Sequence, residues 1–304
     1  MMILVTGASG SLGGLIVKGL SEFSDIRTVA GTRTGDGVTA RRVDFDDPES
    51  LPAAFEGADV LLVVSAGYAE DDVVYARHAA VADAAATAGV RHLIYTSLAA
   101  SGESMTIALP HRWSEDRFAA GPFTTTVLRN GLYGEVPIGL ATASVAEAAA
   151  TGIFAASFGE HRLSVVAKQD LADAAVRVAA ESDRDLVKGQ PRSRHADRIY
   201  ELEGDTAIGG PEIAQILGEV LGRPIAYRPA SLTETRAALD ASSLEPYQIA
   251  HTLSLFSNVI AGRAEATRSD LPHLLETAPR PVLTGIAEAV AEAVAKTIPA
   301  ERPA

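Results

Sequence analysis

Hydrophobic and polar positions alternate along the first 135 residues in two repeating patterns. Short apolar runs, often β-branched, are followed by stretches in which apolar residues recur every three or four positions, as on one face of a helix. The run at 59–65 (DVLLVVS) is almost continuously apolar, which is typical of a strand buried on both faces of a parallel sheet. The alternation predicts an α/β fold, a Rossmann-type doubly wound parallel sheet with right-handed crossovers.

Six strands and four intervening helices are predicted in this first part of the chain. The strands are expected at 2–6, 26–31, 41–45, 59–65, 91–97 and 124–129. The helices are expected to begin at Leu12, Pro48, Asp72 and Pro110. Proline suits a first helical turn, where its missing N–H would have no partner in any case.

The pattern after residue 135 is less regular. Helices are predicted at 136–150, 170–182, 208–222, 232–239, 246–261 and 282–297, and strands at 162–166, 198–203 and 224–228. We therefore divide the chain into a Rossmann domain, residues 1–135, and a remainder, residues 136–304. The remainder is expected to form mainly a smaller, discontinuous C-terminal lobe that binds substrate, with the chain returning to the first domain near 162–182.

The composition narrows the function classes. The chain has 304 residues, 47% of them apolar, and a formal net charge of −13. An acidic chain is not expected to bind nucleic acid or an anionic membrane surface, since both require clustered Lys and Arg. It has no cysteine, and no apolar run approaches the roughly 20 residues of a membrane helix. We expect a cytoplasmic protein with no targeting segment, no disulfide and no metal site.

A glycine loop is the most informative motif. Gly7, Gly10 and Gly13 lie directly after the first strand and open the first helix. In this context the first glycine permits a sharp turn, the second permits close approach of a pyrophosphate, and the third permits tight packing of the helix. The N–H groups at the helix N-terminus then face the phosphates. The loop predicts a dinucleotide site, with further contacts from Ser9, Ser11 and Leu12.

The second strand distinguishes NAD from NADP. An acidic residue at its end would bind the ribose 2′-hydroxyl of NAD, but the chain reads Ala30-Gly31-Thr32-Arg33. A guanidinium at Arg33 can hold a 2′-phosphate with two hydrogen bonds, which favours NADP(H). NAD(H) remains the alternative, with Arg33 as a solvated loop residue.

Other candidate cofactor residues lie where later strands end, since ligands of open α/β sheets bind at the carboxyl edge. They are Asp44, Phe45, Ser65, Ala66, Gly67, Thr96, Ser97, Asn130 and Gly131. Two alternatives stay open. Asp44 either reaches the adenine, with Phe45 covering the ring, or caps a turn before Pro48. The small and polar residues at the strand ends either contact the cofactor or serve their turns alone.

Several segments resemble the NmrA-like group of atypical short-chain dehydrogenase/reductases, and in particular its bacterial NAD(P)H:quinone oxidoreductase branch. The resemblance rests on ILVTGASGSLG, GTR, VDFDD, AAATAGVRHLIYTS, VLRNGLY, VAKQDLADA, YELEG and LGRPIAY, which together span nearly the whole chain. It implies an NADP-binding Rossmann domain with a small lobe over the nicotinamide. It also implies either quinone reduction or, as in the regulatory relatives, sensing of NADP(H).

The helix after the fifth strand departs from the usual pattern. Most short-chain dehydrogenases carry there a Tyr with a Lys four residues later, whereas this helix reads HRWSEDRF from His111 and has neither. His111 and Glu115 match a His and a Glu that members of the group often keep. His111 is a candidate proton donor, and Tyr133 is a candidate for contact with a quinone. The structural alternatives are a packed or capping His111 and a lobe-core Tyr133.

Two functions therefore remain open at this stage. The first is an NADPH-dependent oxidoreductase that transfers hydride to a quinone or similar small carbonyl acceptor. The second is a non-catalytic NADP(H)-sensing regulatory protein, which the missing Tyr and Lys favour. A homodimer is expected only because two-fold dimers are the commonest soluble oligomers.

Overall fold

The computed structural model describes residues 1–35, 37, 40–66 and 69–297. Its strands, in chain order, are β1 (Met2–Val5), β2 (Arg27–Thr32), β3 (Ala40–Arg42), β4 (Val60–Val63), β5 (His92–Leu98), β6 (Thr124–Asn130), β7 (Ile153–Ala156), β8 (Arg162–Val165), β9 (Arg198–Leu202), β10 (Thr206–Gly209) and β11 (Ala226–Pro229).

The helices follow the same chain order. They are α1 (Ser11–Ser21), α2 (Leu51–Phe55), α3 (Asp71–Thr87), α4 (Ala108–Ala119), α5 (Glu135–Ala143), α6 (Val145–Thr151), α7 (Lys168–Val187), α8 (Gly210–Leu221), α9 (Leu232–Asp240), α10 (Pro246–Ile260), α11 (Leu271–Leu274) and α12 (Val282–Thr297). Short 3-10 turns lie at Pro48–Ser50 and Ala100–Gly102.

Seven parallel strands form the main sheet, in the order β3-β2-β1-β4-β5-β6-β9. The order reverses direction between β1 and β4, which creates a crevice at the carboxyl ends of these two strands. The prediction of a Rossmann-type doubly wound sheet is confirmed. Ligands of such sheets bind at this reversal point, so the topology directs attention to the loops that follow β1 and β4.

Helices cover both faces of the sheet. One apolar layer is formed by α1, α7 and α11, with Ile16 and Leu20 fully buried against the strands. The opposite layer is formed by α2, α3 and α4, where Phe55 and Phe118 are buried. Because both faces are covered, β1 and β4 are buried at every position, which explains their continuous apolar sequence.

A separate apolar cluster lies beyond the carboxyl end of the sheet. It is built by α5, α6, α8, α10 and α12 with two small sheets, one pairing β8 with β10 and the other β7 with β11. The chain leaves this cluster twice, first for α7 and β9 and later for α11, which all pack in the first layer or the main sheet. We call the cluster the lobe.

Several elements differ from those that periodicity predicts. A single helix is expected at 136–150, but the structure has two helices with an interruption at Ser144. The hydroxyl of Ser144 donates to the carbonyl of Leu140, a contact that competes with regular helical hydrogen bonding. The four-residue strands β7 and β10 and the four-residue helix α11 were not predicted. Elements this short contain too few residues to show a period.

Gly13 provides a test of how tightly the glycine loop packs. A Cβ at Gly13 would lie 2.2 Å from the carbonyl oxygen of Gly7, whereas a Cβ at its neighbour Gly14 would meet only Ala8 O, at 3.4 Å. We expect Gly13→Ala to lower the free energy of unfolding by about 1–3 kcal/mol. Gly14→Ala, in the same helix, should instead stabilise by about 0.5–1 kcal/mol.

Chemical denaturation of both variants checks this expectation. Equal effects of the two substitutions, or a stable Gly13→Ala protein, would contradict the close approach between helix and loop.

Candidate functional site

The glycine loop leaves β1 by a turn that few residues other than glycine adopt. Gly7 has φ +62°, and its carbonyl accepts a hydrogen bond from the N–H of Gly10 at 2.9 Å. The N–H of Ala8 donates to the carbonyl of Gly31 at 3.0 Å, which ties the loop to β2. The loop is therefore fixed on both sides before α1 begins.

The N-terminus of α1 has no side-chain cap, since Gly10 occupies the N-cap position. The first N–H groups of a helix lack partners within the helix and carry the positive end of its dipole. Gly10 and Ser11 are exposed here, while Leu12 and Gly13 are buried. An uncapped helix N-terminus of this kind suits an anion. We call this turn the cradle, and the binding of a dinucleotide there stays a prediction. The predicted residues Gly7, Ser9, Gly10, Ser11, Leu12 and Gly13 all belong to it.

Arg33 lies in the turn directly after β2 and is exposed. Its charge acts on Asp46, which pairs with Arg77. The Nε and Nη2 atoms of Arg77 donate to the two carboxylate oxygens of Asp46 at 2.7 and 2.8 Å. Hydrogen bonding from Arg77 lowers the pKa of Asp46, and the charge of Arg33 adds to the lowering. Arg77, on α3, is a cation of this corner that the sequence did not indicate.

The neighbouring arginines of β3 are engaged elsewhere. Arg41 donates to the carbonyls of Ala54 and Glu56, and Arg42 pairs with Asp44 and Asp47. The guanidinium groups of Arg41 and Arg42 are therefore occupied by these contacts. Arg33, by contrast, has no described carboxylate within ion-pair distance.

Asp44 has a role in its turn. One carboxylate oxygen accepts the N–H of Asp46 at 3.2 Å and the other accepts Nη2 of Arg42 at 3.1 Å. Phe45 is partly buried and meets the ring of His78 edge-on, at 6.4 Å between centroids. The turn-capping interpretation of Asp44 thus has observed contacts, and its contact with a nucleotide stays a prediction.

A cavity of about 610 Å³ opens where β4, β5 and β6 end and where the lobe covers them. From the sheet side it is lined by six of the predicted residues, namely Leu12, Ser65, Thr96, Ser97, Asn130 and Gly131. Predicted catalytic candidates His111 and Tyr133 line it as well. From the lobe, α5 and α10 contribute Val136, Gly139, Leu140, His251, Thr252, Leu255 and Phe256.

Local hydrogen bonds hold the sheet side of this cavity in place. The hydroxyl of Thr96 accepts the N–H of Ser65 at 3.0 Å, and the N–H of Gly131 donates to the carbonyl of Leu202 at 2.9 Å. A Cβ at Gly131 would lie 2.8 Å from a carboxylate oxygen of Glu203, so the close passage of this loop requires glycine. Of the other predictions, Ala66 is partly buried and Gly67 lies outside the described residues.

His111 is held by a buried phenol. Its Nδ1 is 2.9 Å from the hydroxyl of Tyr95, and that hydroxyl is 3.3 Å from the hydroxyl of Ser65. Burial, with a smaller contribution from the charge of Arg112, lowers the pKa of His111 to about 4, so the imidazole is neutral at pH 7. No described residue hydrogen-bonds to Nε2 of His111. The imidazole therefore presents one unpaired ring nitrogen while its other nitrogen is fixed.

Ser97 and Glu115 belong to a buried ionic network behind the cavity. The Ser97 hydroxyl donates to Glu115 at 2.5 Å, and Arg112 and Arg129 both donate to the same carboxylate. Burial acts to raise the pKa of Glu115, but the hydrogen bonds from Arg129 and Ser97 hold it below its ordinary value. Arg129 also pairs with Glu201 at 3.0 Å. Sequence spacing did not reveal Arg129, because its partners lie on β9 and α4.

Tyr133 is partly buried where the chain enters the lobe. The ammonium of Lys168 lies 5.2 Å from the centroid of its ring and pairs with Glu135. Burial raises the pKa of Tyr133, and a hydrogen bond from Asn130 opposes that effect. The ring thus has both a cavity surface and packing contacts, so each interpretation of Tyr133 has a structural basis.

The described part of the chain limits two other kinds of site. It contains no helix with the length and hydropathy of a membrane span. It also contains no group of three or more His, Cys, Asp or Glu side chains arranged to hold a metal ion. His78 is buried in the core and does not line the cavity. Its one described hydrogen bond joins Nδ1 to the hydroxyl of Ser114, at 2.6 Å.

Known proteins resemble this chain over most of its length. It is 29% identical over 253 residues to quinone oxidoreductase 2 of Escherichia coli, with 80% of this chain and 82% of the relative aligned. It is 27% identical over 248 residues to the NAD(P)H azoreductase of Xenophilus azovorans, with 78% and 80% aligned.

Solved structures agree with these relationships. The triphenylmethane reductase of Citrobacter sp. complexed with NADP(H) superposes with a TM-score of 0.80 at 28% identity, covering 96% of this chain and 100% of the other. The NADPH-dependent quinone oxidoreductase of E. coli complexed with NADPH also reaches 0.80, at 27% identity, covering 94% and 99%.

Residues 1–114 match the model of the NmrA-like family. This span includes β1 through most of α4, and so it contains the glycine loop, the Arg33 corner and His111. The part of the chain that matches the NmrA-like family model thus lies within the Rossmann-type α/β fold, and the match agrees with the resemblance that the sequence motifs indicated.

Proposed function

We propose that this protein is an NAD(P)H-dependent reductase, with NADPH as preferred cofactor and a quinone or similar small carbonyl compound as acceptor. The observation that carries the proposal is the position of the cavity, which begins at Leu12, on the first turn of α1, and extends under the lobe. A dinucleotide held by the glycine loop would reach this cavity. The similarity to quinone, azo and triphenylmethane reductases over most of the chain supports the same class of reaction.

The residues present fit a dinucleotide. The cradle between β1 and α1 combines a left-handed Gly7, an uncapped helix N-terminus and a Gly13 whose Cβ would collide with the loop. A loop without a ligand would not require an exposed, uncapped helix end at a sheet crevice. The cofactor supplies a hydride when bound, and the protein contributes binding, orientation and a partly water-free cavity.

His111 is proposed to hydrogen-bond the oxygen of the acceptor during hydride transfer, while the proton that this oxygen gains comes from water. A carbonyl acceptor that gains a hydride also needs one proton on its oxygen. When Tyr95 gives its one hydroxyl proton to Nδ1 rather than to Ser65, the neutral imidazole carries its proton on Nε2, which no described residue engages. That N–H can donate a hydrogen bond to the acceptor oxygen. Tyr133 is proposed to pack against the acceptor ring.

The missing Tyr and Lys on α4 do not exclude this chemistry. A quinone is readily reduced, so the acceptor does not need the strong activation that an alcohol dehydrogenase provides. The Glu115 carboxylate at the matching part of α4 is held by two arginines and is committed to the ionic network. We therefore assign it a structural role that positions Ser97.

The first experiment measures NADPH oxidation by the purified protein with a simple benzoquinone, beside a calorimetric titration with NADPH. Binding with turnover supports the reductase. Tight binding without turnover across several quinones would instead favour the NADP(H) sensor, the second function that the sequence leaves open. Absence of binding would contradict both.

Arg33→Ala tests the choice of cofactor. Because a charge-assisted pair with a 2′-phosphate contributes about 1.5–3 kcal/mol, we expect NADPH affinity to fall about 10- to 100-fold with little change for NADH. Arg27→Ala is the matched control, since Arg27 is an exposed arginine at the other end of the same strand. Calorimetry with both cofactors measures the effect. Equal losses for NADPH and NADH would refute the assignment.

The acid–base behaviour of His111 gives a further expected outcome. Its pKa of about 4 keeps the imidazole neutral above pH 5, so kcat/KM should show no inflection from His111 between pH 5.5 and 8. Because the unfolded chain protonates this residue near pH 6.5, stability contributed by the neutral form is lost as the pH falls from 6.5 toward 4. Because the protein is less stable at the acid end of this range, rates are measured as initial velocities, before the enzyme unfolds.

An inflection near pH 6.5 that disappears in His111→Gln would show that the imidazole titrates normally. That result would contradict the buried, neutral donor.

A further inference from the structure

The described part of the cavity wall has no acidic residue and no lysine or arginine. Among the described residues that line it there is no Asp, Glu, Lys or Arg. Ten of its members are aliphatic, Met or Phe side chains, namely Leu12, Val64, Leu98, Met105, Ile107, Leu132, Val136, Leu140, Leu255 and Phe256. The titratable side chains that remain are His111, Tyr133 and His251.

Two of these three side chains, His111 and Tyr133, are uncharged at pH 7. His111 is neutral at pH 7 because of its burial, and burial likewise keeps the phenol of Tyr133 protonated. His251 has its Nδ1 at 2.7 Å from the hydroxyl of Thr106. Charged groups lie directly behind the wall. Glu115 pairs with Arg112 and Arg129, and Lys168 pairs with Glu135. The Glu203 carboxylate behind Gly131 accepts the N–H and the hydroxyl of Ser101, and its burial raises its pKa.

Gly139 leaves part of this wall open. It lies on α5 and lines the cavity, and a Cβ built there has no atom within 4 Å. Gly139 is exposed, so a larger residue at this position would occupy open space at the edge of the cavity. The wall is therefore wide as well as uncharged at the side that the lobe contributes.

We propose that the acceptor of this reductase is an uncharged, flat compound of more than one ring, admitted by the charge-free wall and by the space at Gly139. The inference rests on the proposed function and names its substrate class. An anionic acceptor would lose water around its charge and find no cation in the wall to replace it, which costs several kcal/mol when burial is complete. A flat apolar acceptor loses nothing comparable and buries its rings.

A matched pair of acceptors tests the charge. 1,2-Naphthoquinone and its 4-sulfonate share a ring system, and the electron-withdrawing sulfonate makes the second compound the more reactive hydride acceptor in solution. We expect kcat/KM with NADPH to favour the neutral compound by at least about tenfold, against this intrinsic order. Equal values, or a preference for the sulfonate, would overturn the proposal.

Gly139→Lys is the rescue variant. It places an ammonium in the open part of the wall and replaces a helical glycine by a better helix former, so the fold should tolerate it. We expect the preference for the neutral quinone to shrink about tenfold or more. Gly139→Met adds a chain of similar length without charge and should keep the preference. Gly285→Lys adds the same charge on α12, at a glycine that also has open space and lies outside the cavity lining, and should keep it too.

The size of the acceptor is tested with the same Gly139→Met protein. Filling the open space should lower kcat/KM for 1,2-naphthoquinone several-fold more than for 1,4-benzoquinone, which has a single ring. An equal effect on both quinones would overturn the assignment of Gly139 to the acceptor site.

Titration of the NADP⁺-loaded protein with the two naphthoquinones separates failure of this inference from failure of the proposed function. Binding that prefers the neutral compound supports the inference even if no quinone is reduced, in which case the proposed function fails alone. Turnover of quinones with equal binding of both compounds would leave the reductase standing and overturn the substrate class. Circular dichroism confirms that each variant is folded.

Discussion

The contact between Gly13 and the loop that begins at Gly7 is the constraint on which the site depends. Without a Cβ at Gly13, α1 can approach the end of β1 closely enough for its uncapped N-terminus to lie in the crevice between β1 and β4. A side chain at this point would collide with the carbonyl oxygen of Gly7 and push the helix away from the loop. Both the phosphate cradle and the Leu12 part of the cavity would then move together, because they lie on the same turn.

The carboxyl edge of the sheet places a buried network of charged side chains directly behind an apolar cavity. The network of Glu115, Arg129 and Glu201 concentrates charge at the ends of β5, β6 and β9, where each charge has a partner of opposite sign. In front of it, the cavity is apolar and its imidazole is neutral. Pairing within the network keeps its charges from acting as isolated ions beside the cavity. The network thereby orders the strand ends without making the cavity polar.

Much of this architecture could be predicted from the sequence, because its signals are local. The apolar run of β4, the glycine spacing after β1 and the basic Arg33 after β2 each lie within a few consecutive residues. The strand order follows from topological rules once the alternation is recognised. The contacts that could not be predicted join distant positions. Arg129 meets Glu201 across 72 residues, Ser101 meets Glu203 across 102, and Arg77 meets Asp46 across 31. The break at Ser144 was also missed, since helical periodicity continues on both sides of it.

The cavity has one wall from the sheet and one wall from the lobe, and the two walls come from different parts of the chain. If the glycine loop holds the nucleotide, as proposed, substitutions in the sheet wall beside it would disturb nucleotide binding. The lobe wall, on α5 and α10, has no part in that cradle. Under the proposed function, mutation and selection can therefore alter the lobe wall while the sheet wall stays unchanged. A lineage built on this plan can acquire new acceptors by single substitutions at helix positions such as Gly139, and its members can diverge in substrate while retaining one redox partner.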